Sequence, residues 1–117
     1  MKFATNGARK WKKMDCTTGL DGSYGLAVDK VRSDLYLMGP VRAAIYGQAY
    51  SGSGDTFLMR YSLNGTRIWT RVETSGGGQD EGNKVTVDSA TGDVYVPGHV
   101  SGGLHNQFLT GDRTLFC

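Results

Sequence analysis

Residues 3–14, FATNGARKWKKM, and residues 61–72, YSLNGTRIWTRV, are two versions of one sequence unit. Asn, Gly, Arg and Trp recur in both, 58 positions apart. A second pair, DGSYGLAVDKVRSDLYLMGPV at 21–41 and DEGNKVTVDSATGDVYVPGHV at 80–100, recurs at an offset of 59 and agrees at 7 of 21 positions. A steady period of this length predicts a repeat architecture, in which each unit buries its apolar faces against neighbouring units.

The composition is that of a globular all-β chain. Its 117 residues leave room for one ordinary domain, and 18 glycines suit a fold with many tight turns. Five basic residues precede the first acidic residue, Asp15; we interpret them as a solvated edge rather than as a nucleic-acid or membrane patch. No stretch reaches the roughly 20 apolar residues of a membrane helix, so we expect no membrane insertion.

Short alternating runs bounded by turn residues predict the strands of each unit. The most complete unit has four, which we name A (24–29), B (34–39), C (56–62) and D (66–72). Asn64-Gly65 favours a hairpin between C and D, because both residues accept a positive φ. We expect three further pieces: a C–D hairpin at 1–14, a second A–B hairpin at 84–88 and 93–98, and a second strand C beginning near Gln107-Phe108.

Antiparallel four-stranded sheets repeated along a chain are typical of a β-propeller. We therefore predict an incomplete propeller, with half a blade at 1–19, a whole blade at 20–74 and a partial blade at 75–117. The strand pattern stops after Leu109, which we interpret as truncation, a changed reading frame or a partial gene. A chain of this kind is expected to need further blades or to self-associate.

The join between strands B and C, residues 40–54, is the longest loop in this prediction. It forms either an extra strand pair or a surface insertion, and the equivalent join after Gly98 is predicted to be eight residues shorter. Gly39 and Gly98 are expected to end strand B at a sharp bend. The aspartates that flank each A–B turn, Asp29 with Asp34 and Asp88 with Asp93, are expected to accept hydrogen bonds from its amides.

The clearest part of the repeat, residues 55–98, resembles the SBBP-type β-propeller repeat. The resemblance rests on Asp55, Phe57, Arg60-Tyr61, Asn64-Gly65, Trp69, the Gly/Asp-rich loop at 76–82, Val87-Asp88 and the segment 92–98. Pro97 stands where a threonine is usual, so the second strand B is expected to stop early. The resemblance implies a blade and no catalytic residues.

Aromatic side chains are the expected packing groups between blades, since each buries on the order of 150–250 Å². The predicted packing residues are Trp11, Tyr36, Phe57, Tyr61, Trp69 and Tyr95.

The sequence offers little support for a chemical site. SGGGQDEGNK at 75–84 lacks the spacing of a phosphate loop and precedes a strand, not a helix. His99 and His105 flank a glycine pair without nearby cysteine, and Cys16 and Cys117 form no recognisable framework. We predict no cofactor; calcium at Asp80-Glu81 or at the Asp88/Asp93 pair is the weaker alternative to turn capping.

Three functions are consistent with these features. The leading hypothesis is a non-enzymatic scaffold whose loops contact a protein or a carbohydrate, with Tyr46, Gln48 and Tyr50 as the contact residues. The alternatives are part of a quinoprotein-like oxidoreductase, suggested by the LNGTRIW segment around Trp69, and a structural spacer. The sequon at Asn64 permits glycosylation if the parent protein is extracellular or on the cell surface.

Overall fold

The structure, a computed structural model, describes residues 1–15, 22–50, 54–74, 80–100 and 114–116; at 80, 81, 99, 100 and 114–116 only the backbone is described. The described residues form strands and turns, and they contain no helix that could cross a membrane. The strands are β1 (Lys2–Phe3), β2 (Arg9–Trp11), β3 (Gly25–Asp29), β4 (Asp34–Val41), β5 (Asp55–Ser62), β6 (Arg67–Glu73), β7 (Asp80–Gly82), β8 (Thr86–Val87), β9 (Val94–Tyr95), β10 (Gly98–Val100) and β11 (Thr114–Phe116).

The central element is a four-stranded antiparallel sheet in the order β3-β4-β5-β6. These strands are the predicted A, B, C and D, and their ends agree with the prediction to within two residues. The prediction of antiparallel four-strand units is confirmed for this unit. The turn between β5 and β6 contains Asn64-Gly65, with Gly65 at φ 92°. The Gly65 amide donates a hydrogen bond to the Ser62 carbonyl oxygen at 2.9 Å.

Strand β4 is longer than predicted, and the expected bend at Gly39 is wrong. The strand continues through Gly39 and Pro40 to Val41, and Gly39 pairs with Phe57. A Cβ atom on Gly39 would lie 2.0 Å from the carbonyl oxygen of Gly22. Glycine is therefore required here because the backbone of residues 22–24, which hydrogen-bonds to Met38 and Pro40, lies too close for a side chain, not because the strand turns.

The aspartates at the first A–B turn have different roles. Asp29 caps the turn as predicted: its Oδ1 accepts the amides of Val31 and Arg32 at 2.9 and 3.2 Å. Asp34 does not cap the turn; its Oδ2 instead accepts a hydrogen bond from Arg60 Nε at 2.9 Å. In the second unit Asp88 accepts the Ala90 amide at 2.9 Å, which repeats the role of Asp29.

Both faces of the central sheet are apolar, because the alternation of β4 and β5 places bulky side chains on each side. We call the side of Leu35, Leu37, Phe57, Met59 and Tyr61 the front face. The opposite side, which carries Tyr36, Met38, Leu58 and Trp69, is the back face. Each face is the centre of its own core cluster, so the sheet must be covered on two sides.

The hairpin of β1 and β2 covers part of the front face. Its Trp11 packs against the front-face cluster and donates from Nε1 to the Leu63 carbonyl at 3.2 Å. Lys2 donates to the same carbonyl at 3.0 Å. The predicted N-terminal hairpin is thus confirmed, and it contacts the central sheet at the turn that follows strand β5.

The second unit covers the back face. Val85 is buried together with Tyr36 and Met38. The Gly82 amide donates to Thr56 Oγ1 at 2.9 Å, and a Cβ on Gly82 would lie 2.1 Å from Met38 Cε. The two units therefore approach each other so closely at Gly82 that a side chain there would require the end of the Met38 side chain to shift.

The second unit repeats the strand pairing of the first at the same offset of 59. Strands β8 and β9 pair as the second A–B hairpin, which confirms that prediction. Beyond them Gly98 pairs with Phe116, just as Gly39 pairs with Phe57. Gly98 begins β10 instead of ending a strand at a bend, so that expectation is wrong.

The second strand C differs from the prediction. Gln107 and Phe108 lie outside the described residues, and the C position beside β10 is occupied by Thr114–Phe116. The B–C joins span 42–54 in the first unit and 101–113 in the second, which makes them equal in length. The predicted eight-residue shortening is therefore wrong, because local alternation was followed there in place of the constant period.

We expect Gly39→Ala to lower the free energy of unfolding by about 2 kcal/mol or more, since the added methyl group overlaps the Gly22 carbonyl and packed strands cannot part cheaply. Urea denaturation followed by circular dichroism measures the change. Gly22→Ala is the matched control on the other side of the same contact, because its Cβ would meet nothing closer than 3.4 Å. Equal stability of the two variants would contradict the close-approach explanation.

Protonation of Asp29 is expected to destabilise the fold in acid. Burial acts to raise the pKa of Asp29, but hydrogen bonds from the Arg32 side chain and from the turn amides outweigh it and hold the pKa below 3.8. Because the folded-state pKa is the lower one, Asp29 stabilises the fold above pH 3.8, and this stabilisation disappears as pH falls through its folded pKa. The difference in free energy of unfolding between wild type and Asp29→Asn should therefore become smaller as the pH falls. A difference that does not change with pH would contradict this role of Asp29.

Candidate functional site

A groove of about 430 Å³ lies on the front face. We call it the front groove. It lies between the β1–β2 hairpin and the central sheet, and its apolar lining includes Trp11, Leu26, Leu37, Phe57, Met59 and Tyr61. Leu26 is 60% exposed, so the groove is open to solvent along β3.

Ile45 anchors a tight turn beside this groove. Its side chain is buried in the front-face cluster, and its backbone exchanges hydrogen bonds with Gln48 at 2.9 and 3.3 Å. The two central residues, Tyr46 and Gly47, have φ of 48° and 75°. Positive φ at both positions is the requirement of a type I′ hairpin turn, in which a bulky residue such as tyrosine is strained. Among its described residues the loop 40–54 thus contains a two-residue turn closed by one isolated bridge, and the predicted extra strand pair does not form there.

Interactions with two charged residues hold Tyr46 in this strained position. The hydroxyls of Tyr46 and Tyr61 both donate to the carboxylate of Asp15. The guanidinium of Arg67 stacks on the Tyr46 ring, 3.6 Å from its centroid. We call Asp15, Tyr46, Tyr61 and Arg67 the tyrosine–aspartate cluster. Cation–π stacking and charge-assisted hydrogen bonds are the interactions that offset the backbone strain.

The cluster shifts the ionisation of both tyrosines in the same direction. The hydrogen bond to Asp15 raises the pKa of Tyr46 above 10.0. Burial, followed by the hydrogen bond to Asp15, raises the pKa of Tyr61 strongly. Both phenols therefore stay protonated near neutral pH and act as hydrogen-bond donors.

The three predicted contact residues are not equivalent. Tyr46 is 46% exposed and belongs to the tyrosine–aspartate cluster. Gln48 closes the turn through its backbone and is half-buried, as is Tyr50. The loop therefore presents one well-placed aromatic ring, Tyr46.

The predicted packing residues separate onto the two faces of the central sheet. Trp11, Phe57 and Tyr61 contact the front-face cluster. Tyr36 and Trp69 lie on the back face with ring centroids 6.2 Å apart. Tyr95 is 51% exposed on the second unit.

Sequence reasoning missed Asp15, Arg67 and Leu26. Asp15 follows strand β2 and carries no local signal for a contact with residues 46 and 61. Leu26 could have been found, because the repeat aligns it with Val85, which packs against the neighbouring unit.

No metal-ligand group is present among the residues that the structure describes: no three His, Cys, Asp or Glu side chains there come together. His105, Cys16 and Cys117 lie outside those residues, and the side chains of Asp80, Glu81 and His99 are not described. The calcium alternative at Asp80-Glu81 therefore stays a prediction.

The chain matches no family model in a scan of known protein families, and a search of curated proteins finds no match either.

Asp15→Asn tests the tyrosine–aspartate cluster. We expect the pKa of Tyr46 to move back toward 10.0 and that of Tyr61 to fall only partly, because burial of Tyr61 remains. Phenolate formation can be followed for each ring by nuclear magnetic resonance. Both tyrosines have a higher pKa in the folded state than in the unfolded chain. The cluster therefore stabilises the fold below pH 10, and this stabilisation is lost as the pH rises through the folded-state pKa values. Unchanged titration of Tyr46 in Asp15→Asn would contradict the assignment.

Proposed function

We propose that this chain is a segment of a β-propeller of the SBBP type that acts as a non-catalytic binding scaffold. One observation supports the fold part of this proposal: the two units have the same strand register at a constant offset of 59 and pack face to face. Val85, the equivalent of Leu26, packs on the back face of the preceding sheet. Stacking of successive sheets through opposite faces is the packing that a propeller repeats around its axis.

The scaffold would hold its contact loop in a preformed shape. The turn at 45–48 is fixed by the buried side chain of Ile45, by two backbone hydrogen bonds and by the bond from Tyr46 to Asp15. A rigid loop loses less conformational entropy when it binds, so more of the contact energy appears as affinity. Tyrosine offers a large ring and a hydroxyl donor, which suits a protein surface or the face of a sugar.

Ile45, which begins the Tyr46 turn, lines the front groove. One partner could therefore contact both the Tyr46 ring and the groove lining. We therefore propose a protein or a carbohydrate as the partner, with the Tyr46 turn as the centre of contact. Gln48 and Tyr50 would add contacts at its margin.

A printed glycan array probed with the 117-residue chain tests the carbohydrate form of this proposal. For a glycan that binds, Tyr46→Ala is expected to weaken the affinity by about tenfold or more, the usual effect of removing an aromatic anchor. Tyr24→Ala removes a tyrosine that is 61% exposed outside the loop and should leave the affinity unchanged. Tyr46→Phe separates the ring from its hydroxyl, because it keeps the stacking on Arg67 and loses the bond to Asp15. Equal affinities for Tyr46→Ala and Tyr24→Ala would contradict a contact role for the loop.

A further inference from the structure

The turn between β5 and β6 carries an asparagine followed by a glycine. Asn64 is exposed, whereas Gly65 is buried and has a φ of 92°. Glycine has no side chain, so its backbone nitrogen is little hindered when it attacks the side chain of the residue before it. Asn64 and Gly65 therefore hold both reactants of an intramolecular deamidation, a side-chain amide carbon and a backbone nitrogen.

This deamidation proceeds through a five-membered ring and consumes only water. Hydroxide removes the proton of the Gly65 amide, and the nitrogen forms a bond to Asn64 Cγ. The bond from Cγ to the side-chain nitrogen then breaks, and that nitrogen takes a proton from water and leaves as ammonia. Water opens the resulting succinimide at either of its carbonyl groups, which gives aspartate or isoaspartate. Both products carry a new negative charge.

Hydrogen bonds within the turn oppose the reaction. The Gly65 amide donates to the Ser62 carbonyl oxygen at 2.9 Å. The Thr66 amide donates to Asn64 Oδ1 at 3.1 Å and thereby holds the side chain. Because the Gly65 nitrogen must lose the proton that it donates, the ring cannot close until the turn has opened locally.

The β1–β2 hairpin holds this turn closed from outside. Trp11 Nε1 and Lys2 Nζ both donate to the Leu63 carbonyl oxygen, at 3.2 and 3.0 Å. The Trp11 ring also lies against Gly65, where a Cβ would be 3.2 Å from it. Since opening of the turn would break these contacts, they lower the population of the reactive state.

The chain holds a second turn of the same kind without this cover. By the offset of 58, Asn6-Gly7 corresponds to Asn64-Gly65. The Gly7 amide donates to the Ala4 carbonyl at 3.0 Å, and the Ala8 amide donates to Asn6 Oδ1 at 3.1 Å. A Cβ on Gly7 would meet nothing within 4 Å. The two turns share their backbone hydrogen bonds and differ in their cover, so Asn6 is a reference for Asn64 within one molecule.

We propose that Asn64 is a site of self-modification, and that the contact between the β1–β2 hairpin and the β5–β6 turn controls its reaction. While the hairpin covers the turn, Asn64 keeps its amide. When the contact opens, the Gly65 nitrogen closes the ring, and the isoaspartate that results lengthens the backbone of the turn. The Leu63 carbonyl then no longer fits its two donors, Trp11 and Lys2. The modification therefore makes separation of the hairpin from the sheet irreversible.

Peptide mapping by mass spectrometry tests this proposal on the folded 117-residue chain after incubation at mildly alkaline pH. We expect Asn64 to react about tenfold more slowly than Asn6, or slower still, because two hydrogen bonds and a ring contact change an opening equilibrium by that order. In urea that unfolds the chain, the two rates should converge. Isoaspartate among the products identifies the route through the ring, since direct hydrolysis of the side chain gives only aspartate.

Variants of the hairpin test the cover directly. Trp11→Phe and Lys2→Met each remove one hydrogen bond to the Leu63 carbonyl and should each accelerate the reaction at Asn64 by about threefold. Trp11→Ala also uncovers Gly65 and should accelerate the reaction further, by about tenfold over wild type. Lys10→Met is the matched control, because Lys10 is an exposed lysine on the same strand as Trp11 and should leave the rate unchanged.

A further variant separates the cover from the turn itself. The Ser62 hydroxyl bonds to Asn64 Oδ1, whereas the counterpart of Ser62 in the other turn is Ala4. Ser62→Ala therefore gives the two turns the same residue at this position. If the hairpin provides the protection, Asn64 should still react more slowly than Asn6 in this variant.

Equal rates at Asn6 and Asn64 in the folded chain would overturn the proposal. A rate at Asn64 that no substitution of Trp11 or Lys2 changes would do so too, as would complete loss of protection in Ser62→Ala. Circular dichroism shows whether each variant is folded; if Trp11→Ala is unfolded, Trp11→Phe and Lys2→Met decide the question. The glycan measurement depends on Tyr46 and is independent of these outcomes.

Discussion

The rest of this structure depends on one constraint: a single sheet that is apolar on both faces must be covered on both. The central sheet meets it with the β1–β2 hairpin in front and the second unit behind. Met38, fully buried, marks how tight the rear contact is, because both Gly25 and Gly82 lie where a Cβ would collide with its side chain. A side chain at Gly82 would therefore require Met38 to move, and one at Gly25 would meet both Met38 Cγ, at 2.8 Å, and Val85 Cγ1, at 3.1 Å.

Polar contacts between the units then fix their alignment. Arg32, in the first A–B turn, is bound to Asp29 at 3.0 Å and donates to the Ser89 carbonyl of the second A–B turn at 2.9 Å. Gly92 gives this side chain its space, since a Cβ there would lie 2.7 Å from the guanidinium carbon. An apolar contact alone tolerates sliding, whereas this hydrogen bond sets one turn directly beside the other. The apolar packing and this hydrogen bond thus join the two units at different points, the first at the back face and the second at the A–B turns.

Much of the fold could be predicted from the sequence, and the failures have physical causes. The central strands follow from alternation and turn residues, both of which are local signals. Strand C of the second unit was misplaced at Gln107-Phe108 because alternation was followed there, although the period of 59 leads from Phe57 to Phe116. The role of Gly39 was missed because a glycine required by a close neighbouring backbone looks, in sequence, the same as one required by a bend. The candidate site was found in part: Tyr46 lies in a loop that composition singles out, whereas Asp15 contacts it across 31 positions of chain.

Tyr46 adopts a backbone conformation that asparagine or glycine would adopt with less strain, and its partner Asp15 belongs to the preceding unit, not to its own. The shape of the loop therefore depends on the presence of the preceding unit. A unit separated from the one before it would lose the carboxylate that holds the ring, and its turn would relax. The proposed contact surface would then form only where consecutive units are stacked, so a partner that binds there would bind stacked repeats and not isolated ones.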